Sequence, residues 1–186
     1  MPKLELPLNE GLYPVPVVLV SCRGKAGQKP NIITIAWCGV ASSKPPTLSV
    51  SIRPSRYSHK LITEAGDFVV NIPTADMSDK CDLCGMRSGR EIDKFEVLSF
   101  TETAASKISS PLIKECPVNI ECKLRNVIKL GSHDMFIGEV VAIHADSDMM
   151  TEEGSLDYNK LKPFVYNQGE YWSLGKKIGY YGCSAK

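Results

Sequence analysis

Residues 118–145 read VNIECKLRNVIKLGSHDMFIGEVVAIHA, and the prediction of fold class rests most heavily on this stretch. Val118–Leu130 and Met135–Ala145 are rich in β-branched residues and alternate apolar with polar side chains, which is typical of half-buried strands. Between them, residues 131–134 (GSHD) supply the short polar connection that joins antiparallel strands. The pattern predicts a long β-hairpin.

Shorter strands are predicted upstream of this hairpin. Pro16–Cys22 is almost continuously apolar and is predicted to be a strand. A polar loop over Arg23–Pro30 then connects it to a second strand over Asn31–Trp37. Thr47–Arg53 alternates with a period of two, as a strand with one buried face does. We expect these three runs to form a meander of antiparallel strands, with Phe68–Ile72 as a further buried strand.

Helices take up little of the predicted structure. One is expected over Ser58–Ala65, with Ser58 as its N-cap and Gly66 as its end. A second is expected over Asp76–Met86, before the Ser-Gly pair at 88–89. An α/β fold needs more helix than this, so the chain is predicted to be an all-β barrel with a few short helices.

Length and composition indicate one ordinary globular domain spanning residues 1–186. The chain has 43% hydrophobic and 23% charged residues, and its net charge is +1. Such a balance gives no overall field that would attract nucleic acid or an anionic membrane. No apolar run approaches the roughly 20 residues needed to cross a bilayer, and the first residues lack the layout of a secretion signal. We therefore expect a cytoplasmic protein that binds neither nucleic acid nor a membrane.

Seven cysteines are an odd number for a disulfide framework, so most are expected to be reduced and buried. The CxxC pair Cys81 and Cys84 has three interpretations. A zinc site lacks a second ligand pair at close spacing, and a thioredoxin-like dithiol would stand at the start of a helix rather than inside one. Two incidental thiols on a helix remain the favoured interpretation, although a redox role stays open.

The stretch 51–60 (SIRPSRYSHK) leads from a strand into a helix and concentrates serines with basic residues. Hydroxyls, guanidinium groups and the free N–H groups of a helix start are the donors that bind phosphate. This stretch therefore predicts an anion site. The alternative is a solvated turn with Ser58 serving only as a cap.

A second candidate region is the strand Asn31–Trp37. Its edge offers backbone donors and acceptors that suit the edge of a flat heteroaromatic ring, and an aromatic side chain such as Trp37 can cover the face of that ring. The alternative is a core tryptophan. Lys94 and His133 are isolated titratable residues that could hydrogen-bond such a ring or a phosphate, or could lie on the surface. The aromatic-rich tail after Pro163 is expected to serve the core or a subunit contact.

Taken in order along the chain, these pieces resemble the flavin reductase-like family, and within it the flavoredoxin group. The resemblance covers most of the chain, and no single motif is specific alone. It rests on 16–21 (PVVLVS), 31–37 (NIITIAW), 45–46 (PP) before 48–52 (LSVSI), 56–62 (RYSHKLI), 68–72 (FVVNI) and 84–95 (CGMRSGREIDKF).

The resemblance implies an FMN-binding split β-barrel with Greek-key topology, which forms a homodimer and holds FMN near the subunit interface. Carried over by position, Asn31, Thr34 and Trp37 would face the isoalloxazine and ribityl chain; Ser51, Arg53, Ser55 and Ser58 would lie near the phosphate; Lys94, His133 and Tyr166 would complete the site.

What the resemblance implies for activity is an FMN-dependent oxidoreductase of the NAD(P)H:flavin or ferric reductase type. Electrons would pass from NADH, NADPH or a redox protein through FMN to an acceptor, and no side chain need act as a proton-transfer catalyst. Two alternatives stay open: a non-enzymatic FMN electron carrier, and a flavin-binding protein without turnover. The sequence does not choose the donor or the acceptor.

Overall fold

The structure is a computed structural model that describes residues 1–25 and 27–185. The strands are β1 (Val15–Pro16), β2 (Val18–Cys22), β3 (Asn31–Ile35), β4 (Cys38–Ser43), β5 (Pro46–Ile52), β6 (Asp67–Ile72), β7 (Glu102–Thr103), β8 (Leu112–Ile113), β9 (Val118–Lys129), β10 (Asp134–Ala145), β11 (Phe164–Asn167) and β12 (Glu170–Ser173). The helices are α1 (Tyr57–Ala65), α2 (Ser78–Met86), α3 (Lys94–Val97) and α4 (Tyr158–Leu161), with 3-10 turns at Ala75–Met77 and Ser147–Met149.

Seven strands form one antiparallel sheet in the order β3-β2-β6-β9-β10-β5-β4. Its edge strands, β3 and β4, follow each other in the chain with only Ala36 and Trp37 between them. The sheet must therefore curl until its two edges approach each other, which gives a split barrel. The all-β prediction with few helices is confirmed.

The predicted hairpin is also confirmed, because β9 and β10 pair from Lys129 opposite Asp134 to Val118 opposite Ala145. The predicted meander is wrong. β2 does pair with β3, but β5 pairs with β4 and β10 rather than with β3. Pairing between strands far apart in sequence cannot be read from the local pattern of either strand. The sequence also gave no sign of β4, whose Gly, Ala and Ser residues have low strand propensity.

The helices form nearly where expected. α1 ends at Gly66, whose φ of 74° is the left-handed conformation that glycine adopts without penalty. Ser58 is not the N-cap, however: Arg56 holds that position, and Ser58 is fully buried one residue inside the helix. The second predicted helix begins as a 3-10 turn and continues as α2 to Met86.

The apolar side chains form two cores on opposite faces of the sheet. Val18 and Val20 face the core inside the curled sheet, whereas Val17 and Leu19 face a second core beneath α2 and α3. β2 is thus buried on both faces, which explains why its sequence is an unbroken apolar run rather than an alternating one. A smaller sheet, β1-β11-β12, packs beside the second core and carries the aromatic tail.

Two carboxylates fix the connection between β7 and β8. Glu121 is fully buried and accepts hydrogen bonds from the backbone N–H groups of Ser106 (2.6 Å) and Lys107 (2.7 Å). Asp67 accepts one from the N–H of Ser109 (3.0 Å). Within residues 1–25 and 27–185, no helix combines the length and apolar character needed to span a membrane.

Candidate functional site

Two cavities lie along the free edge of β3. Their volumes are about 550 and about 400 Å³, and each falls in the range of roughly 300–1,000 Å³ that is usual for small-ligand sites. Ile33, Arg53, Arg56 and Gly85 line both cavities, which therefore form one continuous cleft. We call the larger part the basic cavity and the smaller part the aromatic cavity.

The basic cavity is rich in cations and hydroxyls. Its cations are Arg53, Arg56, Arg87, Arg90 and Lys94, and its serines are Ser55, Ser58 and Ser88. Of the described residues that line it, Glu91 alone carries a carboxylate. This set of donors suits a phosphate group, because guanidinium and ammonium groups make charge-assisted hydrogen bonds to its oxygens. The first turn of α1 also borders the cavity and has no side-chain cap, so a helix start faces the same space.

Asn31 ties the sheet to the turn that precedes α1. Its Nδ2 donates to Ser58 Oγ at 2.8 Å, and both side chains are buried. Ser58 accepts this bond, and the Cys22 thiol is a second hydrogen-bonding neighbour of its hydroxyl. The loop after α2 packs tightly against this amide, because a Cβ built on Gly89 would clash with the side chain of Asn31. Only glycine lets the loop after α2 approach this amide.

Lys94 is buried to 3% exposure at the base of the basic cavity. Its Nζ donates to the carbonyl oxygens of Ile32 and Cys84, each at 2.7 Å. An ammonium has three N–H groups, so one remains for a ligand. Burial lowers the pKa of Lys94 to about 8, which leaves it mainly charged at neutral pH. Asp93 holds the residue in place, because it caps α3 through the N–H groups of Phe95 and Glu96.

The aromatic cavity has a different character. Trp37, at the junction of β3 and β4, lies parallel to His133 with ring centroids 6.2 Å apart and planes 5° apart. Tyr166 of β11 lies 6.0 Å from the same indole. Burial, with Arg53 nearby, lowers the pKa of His133, so its imidazole is neutral at pH 7. Flat aromatic walls beside a neutral imidazole suit a flat heteroaromatic ligand.

Tyr171 of β12 closes one side of the aromatic cavity. Its hydroxyl donates to Asp82 Oδ1 at 3.1 Å, and its ring meets Phe164 edge to face at 5.5 Å. Burial, followed by the charge of Asp82, raises the pKa of Tyr171. The phenol is therefore a fixed, neutral wall that links the small sheet to α2.

The cleft brings together all ten residues expected at the site. Asn31, Ser55, Ser58 and Lys94 line the basic cavity; Thr34, Trp37, Ser51, His133 and Tyr166 line the aromatic cavity; Arg53 lines both. Ser51, expected near the phosphate, lines the aromatic cavity, and Asn31, expected to face the isoalloxazine and ribityl chain, lines the basic cavity. Thr34 donates its hydroxyl to the carbonyl of Cys81.

Several cleft residues were not singled out from the sequence. Arg56, Arg87 and Arg90 add three guanidinium groups to the basic cavity, and Glu10 and Tyr171 line the aromatic one. The arginines that flank Ser88-Gly89 were a usable signal, because guanidinium groups beside a serine hydroxyl supply donors for an anion. Glu10 and Tyr171 gave no local signal, since their place depends on how both ends of the chain fold back.

Cys81 and Cys84 lie on α2 and are fully buried in the second core. Burial raises the pKa of Cys81 to about 12 and that of Cys84 to about 11. Thiols in this state are poor nucleophiles at neutral pH. Packing explains both residues, and the carbonyl of Cys84 has a further role as an acceptor for Lys94.

The two ends of the cleft fit the two ends of FMN. Ser55, Ser58, Arg53 and the third N–H of Lys94 supply donors for a phosphate and for ribityl hydroxyls. Trp37, His133 and Tyr166 supply aromatic surface for the isoalloxazine. β3 pairs with β2 on one side only, so among the described strands its other edge leaves backbone N–H and C=O groups for the ring.

Comparison with known proteins agrees with this geometry. A family model described as "Flavin reductase like domain" matches residues 10–175. Flavoredoxin of Desulfovibrio vulgaris (Miyazaki F) superposes with a TM-score of 0.92 at 32% identity, covering 99% of this chain and 100% of that one. Flavoredoxin from Methanosarcina acetivorans superposes with a TM-score of 0.88 at 28% identity, covering 99% of this chain and 100% of that one. An FMN-binding protein from Thermus thermophilus, with bound 1-cyclohex-2-enone, gives 0.81 at 25%, covering 97% of each chain.

Proposed function

The chain belongs to the flavin reductase-like family, and we propose that it is an FMN-binding oxidoreductase that moves electrons from a reduced nicotinamide or a redox protein through FMN to an acceptor. One observation carries the proposal: a continuous cleft joins a cavity lined by five cations to one lined by aromatic rings. FMN has a phosphate at one end and a flat ring at the other. The names of the two flavoredoxins and of the Thermus protein support the same assignment.

In this proposal the basic cavity holds the phosphate. Ser55 and Ser58 donate hydroxyl hydrogen bonds, while Arg53 and Lys94 supply charge. Lys94 is the most constrained of these donors, because two carbonyls fix its ammonium and burial removes competing water. A preorganised cation of this kind loses little side-chain entropy when the ligand binds.

The aromatic cavity holds the ring, and FMN, when bound, supplies the electron-accepting and electron-donating chemistry. Trp37 covers one part of the ring and excludes water from it. His133 is neutral and carries one N–H donor and one acceptor; its Nδ1 lies 2.9 Å from Ser132 Oγ. Its role is to orient and hydrogen-bond rather than to carry charge.

The proposal extends to assembly and location. We expect a homodimer working in the cytoplasm. The thiols support a reducing compartment, since all seven cysteines are unpaired and five of them are buried. Exposed leucines at positions 4, 6, 8 and 12 of the N-terminal segment support a subunit contact, because an isolated chain would leave them in water.

The test is reconstitution of the purified chain with FMN, followed by its visible absorption spectrum and a fluorescence titration. We expect a bound flavin, and we expect Ser55→Ala with Ser58→Ala to raise the Kd for FMN by about tenfold. Ser49→Ala is the control, because Ser49 lies on β5 outside both cavities. A chain that binds no FMN after reconstitution would refute the proposal.

Anaerobic mixing of the FMN-loaded protein with NADH and with NADPH then separates an enzyme from a carrier. Bleaching of the flavin by either nucleotide at a rate that supports turnover is the expected result. FMN that is reduced only by another redox protein would identify an electron carrier, and FMN that nothing reduces would identify a flavin-binding protein without turnover.

A further inference from the structure

The basic cavity holds more positive charge than one FMN phosphate needs. Its lining carries four arginines and Lys94, against the single carboxylate of Glu91. A phosphate monoester carries about two negative charges at neutral pH, its second pKa being near 6. After Glu91 and one such phosphate are set against the five cations, about two positive charges remain.

That surplus lies on the loop that follows α2. Arg87 keeps about half of its side chain exposed, and its Nε stands 3.6 Å from Glu91 Oε2, too far for a tight hydrogen bond. Arg90 donates from one guanidinium nitrogen to the carbonyl of Ser55 at 3.1 Å, and it lies over the ring of Tyr57. Each arginine has five N–H donors, so both retain donors for a second anion.

The inner donors form a separate group. Asn31, Ser58 and Lys94 are buried and bonded to the protein around them, whereas Arg87 and Arg90 lie on the exposed rim. A phosphate held by the inner group would leave Glu91, whose Oε2 lies 3.6 Å from Arg87 Nε, as the one carboxylate beside the rim pair among the described lining residues. The cavity therefore offers two anion positions, an inner and an outer one.

We infer that Arg87 and Arg90 bind the 2′-phosphate of NADPH, so that the donor for this flavin is NADPH rather than NADH. The inference rests on the proposed function and deepens it. NADPH and NADH differ by one phosphate monoester, whose charge matches the surplus at the rim. FMN itself fills the passage between the cavities, which Arg53 and Arg56 line, so in this inference NADPH approaches the flavin from the open side of the cleft.

A small anionic ligand suits this site better than an acidic protein surface does. The arginines line a concave space of about 550 Å³, whereas docking proteins meet over broad and nearly flat areas. The loop also presents Ser88, whose Oγ accepts from the N–H of Arg90 at 3.2 Å and keeps its own O–H free to donate. A hydroxyl and two guanidinium groups on one loop supply donors for one phosphate.

The first test measures binding without turnover. Adenosine 2′,5′-bisphosphate, AMP and inorganic phosphate are titrated into the FMN-loaded protein by calorimetry. We expect the bisphosphate to bind more tightly than either control ligand and Arg87→Gln to weaken it roughly five- to tenfold, as loss of a half-exposed charged contact predicts. Arg87→Lys should restore part of that loss.

Arg125→Gln is the matched control. Arg125 is also paired with a glutamate, Glu139, and its side chain is exposed to the same extent as that of Arg87, 56% against 55%. It lines neither cavity, so the variant should bind the bisphosphate as the wild type does. Equal bisphosphate binding by Arg87→Gln and wild type would overturn the inference, as would inorganic phosphate binding as tightly as the bisphosphate.

The second test is anaerobic reduction of bound FMN by each nucleotide. Arg87→Gln should raise the apparent Kd for NADPH by the same factor, leave that for NADH unchanged and leave FMN affinity unchanged. If FMN affinity falls instead, Arg87 belongs to the FMN phosphate and the inference fails. A protein that takes up no FMN overturns the proposed function and this inference with it, whereas an FMN-loaded protein that does not discriminate NADPH overturns the inference alone.

Discussion

Lys94→Met gives the sharpest test of how the cleft binds a phosphate. The substitution keeps an unbranched side chain up to the ε position but removes the ammonium that donates to the carbonyls of Ile32 and Cys84 at 2.7 Å. Two charge-assisted hydrogen bonds contribute about 1.5–3 kcal/mol each. Against them, lowering the pKa of Lys94 from 10.5 to about 8 corresponds to about 3 kcal/mol of unfavourable charge burial. The free energy of unfolding should therefore fall by no more than about 3 kcal/mol.

Removing the Lys94 ammonium should also weaken the binding of FMN. Loss of one buried, charged contact to phosphate is worth about 2 kcal/mol, or roughly 30-fold in the Kd for FMN. Fluorescence titration measures this value, and urea unfolding checks that the variant is folded. Lys60→Met is the control, because Lys60 lies on α1 outside both cavities. An FMN affinity within twofold of wild type in folded Lys94→Met would refute the reasoning.

The same residue predicts a pH dependence. Above about pH 8 the free protein loses the Lys94 charge, so FMN affinity should fall as the pH rises, and this fall should be absent in Lys94→Met. Stability changes in the opposite direction. The unfolded chain holds this proton more tightly than the folded one, because burial lowers the pKa of Lys94 from 10.5 to about 8. The contribution of Lys94 to the free energy of unfolding therefore increases as the pH rises from about 8 to 10.5, and it is lost as the pH falls through about 8.

Three further perturbations follow from other contacts. Gly89→Ala would force a Cβ against Asn31, so we expect FMN affinity to fall about tenfold and the free energy of unfolding by about 1–3 kcal/mol; Gly39→Ala, with nothing within 4 Å of its new Cβ, should change neither. Burial raises the pKa of Glu121, but its hydrogen bonds lower that pKa overall, so the carboxylate stabilises the fold above about pH 4.5 and this effect is lost on acidification. Glu121→Gln should make the free energy of unfolding less dependent on pH in acid and should lower it by about 1–3 kcal/mol at pH 7. Iodoacetamide should modify exposed Cys183 first by mass spectrometry, and rapid labelling of the buried thiols would contradict their assigned packing.

Much of the fold could be predicted from local sequence patterns. The β9–β10 hairpin could be predicted because both strands and their connection are adjacent in sequence. The partners of β5 could not, because they are β4 and β10, and β10 lies more than 80 residues away. The small residues of β4 also hid a strand whose place is set by pairing with β5 rather than by its own propensity.

The site, like the fold, could be predicted only where its features depend on residues close together in sequence. The serines and arginines of residues 51–60 suggested an anion site because their chemistry is local. The buried state of Ser58 was unpredictable, since it depends on Asn31 of a distant strand. Only the family resemblance singled out Lys94 from the other lysines, because its place in the cleft depends on two carbonyls on β3 and α2 that accept from its ammonium. Residue types indicate possible chemistry, whereas long-range contacts determine which residues meet.

The central claim is that Lys94 and Arg53 of the basic cavity bind the phosphate of FMN. A comparison of FMN with riboflavin, which has the same ring and ribityl chain without the phosphate, tests it most directly by fluorescence titration of the purified protein. The contacts available from Lys94 and Arg53 predict that FMN binds roughly 100-fold more tightly than riboflavin, and that Lys94→Met reduces this ratio. Equal affinities for the two flavins would contradict the account.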